Sequence, residues 1–475
     1  MRFAGRVAVS AALFLGVVAP SARVGATTPA TDSPVTRAVV PGSDWLVEAP
    51  SAHGMDEATL DQAQDYAFAD GRNTQGVVVV RGGVIVREWY APGRDATSWA
   101  ASWSVAKSFT SSLIGIAIGE GLIPSVDEPM TTYFPDWAGT PKAAITLRHV
   151  LHMESGLDWD EDYDPSALAS SEIIAMVGTQ SNQLAFAAGI PSAAAPGTRF
   201  NYSSGDSMLL SGVIERATGR TVEAYAHEKL LDPIGIGQFD WWRDAAGHTL
   251  TYCCVDTTSR DFARFGLLYL RGGLWDATQV VPASWASDSI TNTANTYSGY
   301  GYQWWLRMSQ GGTIPPYYSA LGHDGQYIYI IPSLDLVVVR NGTYGKSPCA
   351  PVADPALLPY YPPQGLVPGQ GTAPPNSWSD TQFLAPIVAS ITDGNAATAG
   401  LPRGAAGEST GGSSSADEPI GAPLTAKVGG SAGSAGDAMI PAADPAPCPA
   451  AAPVSTTPSV PTTNPIPVVT PAFTG

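Results

Sequence analysis

"SWSVAKSF", residues 102–109, is the stretch on which the reading of this chain turns. Ser104 and Lys107 stand three residues apart. Phe109, Leu113, Ile114, Ile116 and Ala117 then recur with the spacing of a helix. On a helix, positions i and i+3 share a face, with Cβ atoms about 5–6 Å apart. If Ser104 opens the helix, the positive end of the macrodipole lies under its hydroxyl and favours negative charge there. A lysine kept from water beside it holds or relays the serine proton. The plain alternative is a helix cap followed by a solvated lysine, and S-x-x-K alone does not separate the two.

Two further stretches bear on the choice. "PGTRFNYSSGDSMLL", residues 196–210, places Tyr202 in a Gly- and Pro-flanked loop just before a helix. A phenol beside an ammonium has its pKa lowered, so Tyr202 is expected to take the serine proton as general base. "LGHDGQYIYII", residues 321–331, opens a strand with His323, Asp324 and Gly325. Gly325 is expected to let a substrate approach the backbone. The Gln326 N–H is expected to complete an oxyanion hole with that of Ser104, and His323 to orient substrate or carry charge. Each stretch also has a structural reading, as a turn tyrosine packed on the core or as a strand-start histidine.

Outward from these, the pattern predicts a hairpin, with Val77–Val80 and Val84–Trp89 flanking Gly82-Gly83. From Ser104 to about residue 290 the chain reads as mostly helical, including 206–219 and 259–273, each closed by glycine. Strands return at 299–307 and in a hairpin over 326–340. Residues 343–375 read as a long loop, and 379–391 as a last helix that Pro386 weakens. Strands, then helices, then strands and a helix imply an α+β fold with one antiparallel sheet and a helical insertion.

The bulk numbers narrow the function. The 475-residue chain carries a formal net charge of −18 and has a pI near 4.6. Nucleic-acid binding rests on Lys and Arg neutralising phosphates, so nucleic acid is not an expected partner. Arg2, Arg6, the apolar run Val7–Val18 and the small residues Val24-Gly25-Ala26 read as a signal peptide over 1–26. Export follows, to the medium, the periplasm or the cell envelope, with no membrane insertion after cleavage. Residues 27–43 read as a linker and 44–395 as the catalytic domain. The Ala/Gly/Ser/Pro-rich tail 396–475 lacks the apolar side chains to fold. Of the four cysteines, one of the vicinal pair Cys253 and Cys254 is expected to bridge to Cys349, since neighbours form no relaxed bridge; Cys448 lies in the tail. His149 and His152 lack a third ligand nearby, so no metal is expected.

In order, S-x-x-K, Y-x-[SN] about 100 residues on, then a basic residue and glycine opening a strand, the chain resembles the serine β-lactamase and penicillin-binding-protein superfamily. Within it the chain is similar to the class C β-lactamase-related serine hydrolases. "ITLRHVLHMESGLDWD" (145–160), "TSRDFARFGLLYLRGG" (258–273) and "GHDGQYIYIIPSLDLVVVR" (322–340) also carry the likeness, which spans roughly residues 45–391. Where many relatives have "HTSGL", residues 153–157 read "MESGL". With "GQ" after the third motif, this is similar to the 6-aminohexanoate-dimer hydrolase branch, which cleaves short linear amides and often esters.

The resemblance implies a β-lactamase/transpeptidase-like fold, with an antiparallel sheet flanked by helices, a mostly helical second lobe and the site in the cleft between them. It implies an acyl-enzyme on Ser104, with Lys107 and Tyr202 shuttling its proton. Gln326, His323, Gly325 and Ser204 would line the oxyanion and substrate site. The substrate would be a small amide or ester, and no cofactor is needed. A third motif without lysine lacks a grip on a β-lactam carboxylate, so strong β-lactamase activity is not expected. The alternatives are a D-alanyl-D-alanine carboxypeptidase or weak β-lactamase, and a catalytically silent binding protein on the same scaffold.

Overall fold

Val77 to Val80 lie in one strand, β1 (Thr74–Arg81), and every residue of it is buried. A strand covered on both faces needs apolar side chains at successive positions, not alternate ones. The computed structural model describes residues 39–162, 171–307, 312–342 and 378–392. The signal segment, most of the linker, the tail, the whole 343–375 loop, Cys349 and Cys448 lie outside the described residues.

Helix α1 (Glu57–Ala67) precedes β1, which is followed by β2 (Val84–Tyr90), β3 (Trp99–Ala101) and α2 (Ala106–Gly119). The helical block holds α3 (Leu147–Leu151), α4 (Glu172–Thr179), α5 (Gln183–Gly189), α6 (Ser204–Thr218) and α7 (Val222–Ala226). Next come β4 (Asp240–Trp241), β5 (Val255–Thr258), α8 (Ser259–Leu270), β6 (Leu274–Trp275), β7 (Thr278–Gln279) and α9 (Ala283–Thr291). The chain closes with β8 (Trp305–Arg307), β9 (Tyr317–Gly322), β10 (Gln326–Ile331), β11 (Leu336–Gly342) and α10 (Asp380–Ala389). The main sheet has six strands in the order β2-β1-β11-β10-β9-β8. Its strand pairs are antiparallel.

The sheet divides the core in two. Val78, Val80, Ile328, Ile330, Val337 and Val339 face the layer that includes α2 and α8. Val77, Val79, Tyr329, Ile331, Leu336 and Val338 face α1 and α10. The fold is therefore the α+β, β-lactamase/transpeptidase-like arrangement the sequence led us to expect. The predicted hairpins and the helices at 206–219, 259–273 and 379–391 all form, shifted by a few residues at their ends.

The mostly helical block 104–290 also contributes β5 and β4, which pair with β3 just before it in a small antiparallel sheet. Two expectations need correction. Residues 299–307 form a strand only over Trp305–Arg307. Residues 300–304 are buried at every position, not every second one, and Gln303 has φ +63°, so the preceding segment turns on itself. The end of the supposed linker is tied down, since the Gly42 and Ser43 carbonyls accept hydrogen bonds from the Arg264 guanidinium.

Helix α2 is buried along most of its length. Every residue from Ala106 to Ala117 is buried, polar ones included. Ser108 donates to the Gln303 carbonyl at 2.7 Å and Thr110 to that of Thr251 at 2.8 Å, so burial leaves these hydroxyls paired. Gly115 is required by packing, because a Cβ there would lie 2.1 Å from the Trp285 ring on α9. Gly115→Ala should gain about 1 kcal/mol in helix propensity and lose more to overpacking, about 1–3 kcal/mol. A melting temperature below the wild type is the expected result; an unchanged or raised one would show that Trp285 yields freely.

Candidate active site

Ser104 is presented by a bent entry into α2. Ser102 donates its N–H to the Val255 carbonyl at 2.9 Å, and its Oγ accepts the Val255 N–H at 2.7 Å. This fixes the end of β3 on β5. Trp103 then adopts φ +45°, a conformation that costs a non-glycine residue roughly 1–2 kcal/mol. The strained residue directly precedes Ser104, which is half-buried in the short 3₁₀ turn Trp103–Val105 leading into α2.

Lys107 is 1% exposed. Its ammonium lies 3.0 Å from Ser104 Oγ, 3.1 Å from Ser204 Oγ and 2.9 Å from the Tyr252 carbonyl. It stands 5.0 Å from the centre of the Tyr202 ring and 5.7 Å from that of Tyr252. Burial disfavours the charged form and pushes the lysine down to about 8, with the Glu161 carboxylate opposing that shift. The solvated-lysine alternative is thereby set aside.

Tyr202 reaches the site as expected, with its ring beside the Lys107 amine and the Ser104 hydroxyl acting to lower the pKa of its phenol. Its ring stacks on Trp305 at 5.4 Å and meets the edge of Tyr300. The expected lowering of its pKa does not occur. Burial and the Glu161 charge push the phenol well above its ordinary range. Tyr202 is thus held as a neutral donor, and Lys107 is the group poised to accept a proton near neutral pH.

The third motif departs further from expectation. Asp324 and Gly325 take left-handed conformations, φ +58° and +76°, and both are buried. Gly325 therefore serves the turn, not a substrate approach, and its carbonyl accepts from Arg340 at 2.7 Å. The Gln326 N–H is already given to the His323 carbonyl. The Gln326 amide bonds the Gly342 carbonyl and Asn341. Its N–H is not available to an oxyanion in this arrangement. The peptide that does lie against the serine turn is at Gly322, where a Cβ would meet the Ser102 carbonyl at 2.4 Å. His323 is half-buried, with Nδ1 3.0 Å from Asp324 Oδ1, and Asp324 also accepts the Trp103 indole N–H at 3.0 Å. The third motif is thus joined to the residue before the serine.

Ser204 bridges Lys107 to Glu161 and does not simply line the cleft. Its hydroxyl donates to Glu161 Oε1 at 2.5 Å, and its N–H reaches Oε2 at 2.9 Å. The Trp159 indole also donates to Glu161. Glu161 was missed in the sequence; the signal was the acidic run 158–162 after "MESGL", in which nothing marks one carboxylate over another. The "MESGL" residues themselves brace the Tyr202 loop. The Met153 carbonyl accepts from Asn201 N–H at 2.8 Å, and buried Glu154 accepts from Asn295 and Thr296.

Cys253 and Cys254 are bonded to each other, which corrects the pairing expected with Cys349. Cys254 takes φ +71°, a local bend that brings adjacent sulfurs together where extended backbone would hold them apart. The pair lies between Tyr252, whose carbonyl binds Lys107, and Val255, which binds Ser102. The two histidines considered as metal ligands are engaged elsewhere, His149 with Thr146 and His152 with the Asn292 carbonyl. Among the described residues no helix is long and apolar enough to cross a membrane.

Residues 58–357, more than half of the chain, match the model of the Beta-lactamase family. A 6-aminohexanoate-dimer hydrolase of Paenarthrobacter ureafaciens is 27% identical over 297 residues, covering 57% of this chain and 73% of the relative. A shorter match, 30% identical over 117 residues and covering 23% of this chain and 26% of the relative, is to a protein of Escherichia coli (strain K12) named "Putative D-alanyl-D-alanine carboxypeptidase". Among solved structures, "Putative 6-aminohexanoate-dimer hydrolase from Bacillus anthracis" superposes with a TM-score of 0.53 at 22% identity, over 64% of this chain and 82% of that one.

Proposed function

Because the chain belongs to the Beta-lactamase family, and is on that ground a serine hydrolase, we propose that it cleaves small amides or esters by acyl transfer through Ser104. The observation that carries this reading is the buried amine of Lys107 3.0 Å from Ser104 Oγ. Neutral Lys107 takes the Ser104 proton as Oγ bonds to the substrate carbonyl carbon. The Ser104 N–H, in the turn that leads into α2 and ahead of its hydrogen-bond ladder, supports one side of the oxyanion. The tetrahedral species collapses to the serine ester as the leaving amine or alcohol departs with a proton from Tyr202. That proton is restored from Lys107. Water then attacks the ester, its proton passing to Lys107, and the acid leaves as Lys107 returns that proton to Ser104 Oγ.

The test is turnover by the purified full chain on p-nitrophenyl esters, a linear amide dimer and a chromogenic cephalosporin. Hydrolysis of esters and the dimer is expected to exceed that of the cephalosporin, since His323-Asp324-Gly325 supplies no lysine for a β-lactam carboxylate. Faster hydrolysis of the cephalosporin would favour the cell-wall reading, and no turnover of any would favour a silent scaffold.

The protein is further proposed to act outside the cytoplasm, on the strength of residues 1–26. N-terminal sequencing of protein from the culture medium is expected to begin near Thr27. A cytoplasmic protein retaining Met1 would defeat the proposal.

A further inference from the structure

We propose that Glu161 is a positioning residue that, through Ser204, aims the amine of Lys107 at Ser104 and sets the pH at which Ser104 becomes nucleophilic. The inference rests on the acyl-transfer reading and adds a residue to it. A hydroxyl has one proton. That of Ser204 is committed to Glu161 at 2.5 Å, so Ser204 Oγ can only accept from Lys107 at 3.1 Å. The Tyr252 carbonyl, at 2.9 Å, also only accepts. A neutral amine has two N–H bonds and one lone pair. With both N–H groups drawn to Ser204 and Tyr252, the lone pair is left facing Ser104 Oγ at 3.0 Å. The carboxylate thus does two things. It fixes the direction of the Ser204 hydroxyl, and its charge favours the ammonium, which sets how alkaline the solution must be before the lone pair appears.

Glu161 is itself well held, by the Ser204 N–H at the start of α6, by the Ser204 hydroxyl and by the Trp159 indole. The other groups around Lys107 are Ser104 from its own segment, Tyr202 and Ser204 at the entry to α6, and Tyr252 before β5. Tyr202 and Tyr300 stay neutral, because burial raises both. Asp206 lies near Ser204 in the first turn of α6. It accepts from Ser155 at 2.7 Å and is pushed up to about 7 by burial, so it titrates in the same range and needs its own control.

The test measures the second-order rate of fluorophosphonate labelling at Ser104 in the full-length protein between pH 5 and 10. Wild type is expected to show a rising limb near pH 8. Glu161→Gln keeps the shape and can still bond Ser204 and Trp159, but it removes the charge and releases the Ser204 proton to compete for Lys107. Its limb should move down by about one pH unit or more, and its plateau should fall. Glu161→Asp keeps the charge, so its limb should stay nearer the wild type than that of Glu161→Gln. The downward shift should persist when Glu161→Gln is compared within an Asp206→Asn background, which removes the neighbouring titration. Coincident midpoints for wild type and folded Glu161→Gln, or a shift that vanishes in the Asp206→Asn background, would overturn the proposal and leave the acyl-transfer reading intact. Absence of wild-type labelling at Ser104 would instead remove that reading.

Discussion

Ser104→Ala should abolish labelling by a fluorophosphonate and reduce turnover by about 10⁴-fold or more, in line with removal of a nucleophile that acts as part of a unit. In the wild type, peptide mapping should place the adduct on Ser104 and on no other serine. The candidates for confusion are close. Ser102 and Ser108 flank Ser104 in the sequence and Ser204 shares Lys107 with it, but each has a fixed partner: Ser102 with Val255, Ser108 with the Gln303 carbonyl, Ser204 with Glu161. Ser104 alone of the four is not fully buried, and it follows a backbone bend at Trp103. An adduct elsewhere, or a folded Ser104→Ala protein with wild-type turnover, would end the mechanism.

Lys107→Met should cost about 10²–10⁴-fold in rate, the usual contribution of a positioned acid–base group, and should leave the protein no less stable at pH 7. The second half of this expectation is what separates it from ordinary core damage. The lysine is at about 8 in the folded chain and near 10.5 when unfolded. Between those values the unfolded chain holds more protons than the folded one, so stability rises with pH across that window. Below about pH 8 the full penalty of a buried ammonium is carried, on the order of 3 kcal/mol. Methionine removes that penalty but leaves the Tyr252 carbonyl and Ser204 without their partner, which offsets about 1–3 kcal/mol of the gain. Melting temperatures at pH 7 and pH 10 should therefore show the variant's advantage shrinking as the solution becomes alkaline. An advantage that grows with pH would show that the lysine is not buried as an ammonium, and undiminished turnover would show that it is not the base.

Much of this was legible before the fold was known. Periodicity is a local property, so the valine runs, the 259–273 pattern and the 326–340 hairpin could be read directly as strands and a helix. The spacing of Ser104 and Lys107 placed them on one helical face, and Tyr202 and the His323-Asp324-Gly325 turn followed in recognisable order. Sequence by itself therefore determined the fold class and which short segments bear on the chemistry.

The protonation states and the partners were decided by tertiary structure alone. Whether a phenol goes down beside an ammonium or up through burial depends on which atoms exclude water from it, and Tyr202 is covered by Tyr300 and Trp305 from a segment about a hundred residues away. Lys107 meets Ser204 across 97 residues and the Tyr252 carbonyl across 145. The donor expected of Gln326 was lost to the His323 carbonyl because two successive left-handed residues close a turn there. The bond between Cys253 and Cys254 likewise depends on a backbone bend at Cys254 that no spacing rule announces. Desolvation and hydrogen-bond direction are sums over neighbours distant in sequence, so they exist only once the chain has folded.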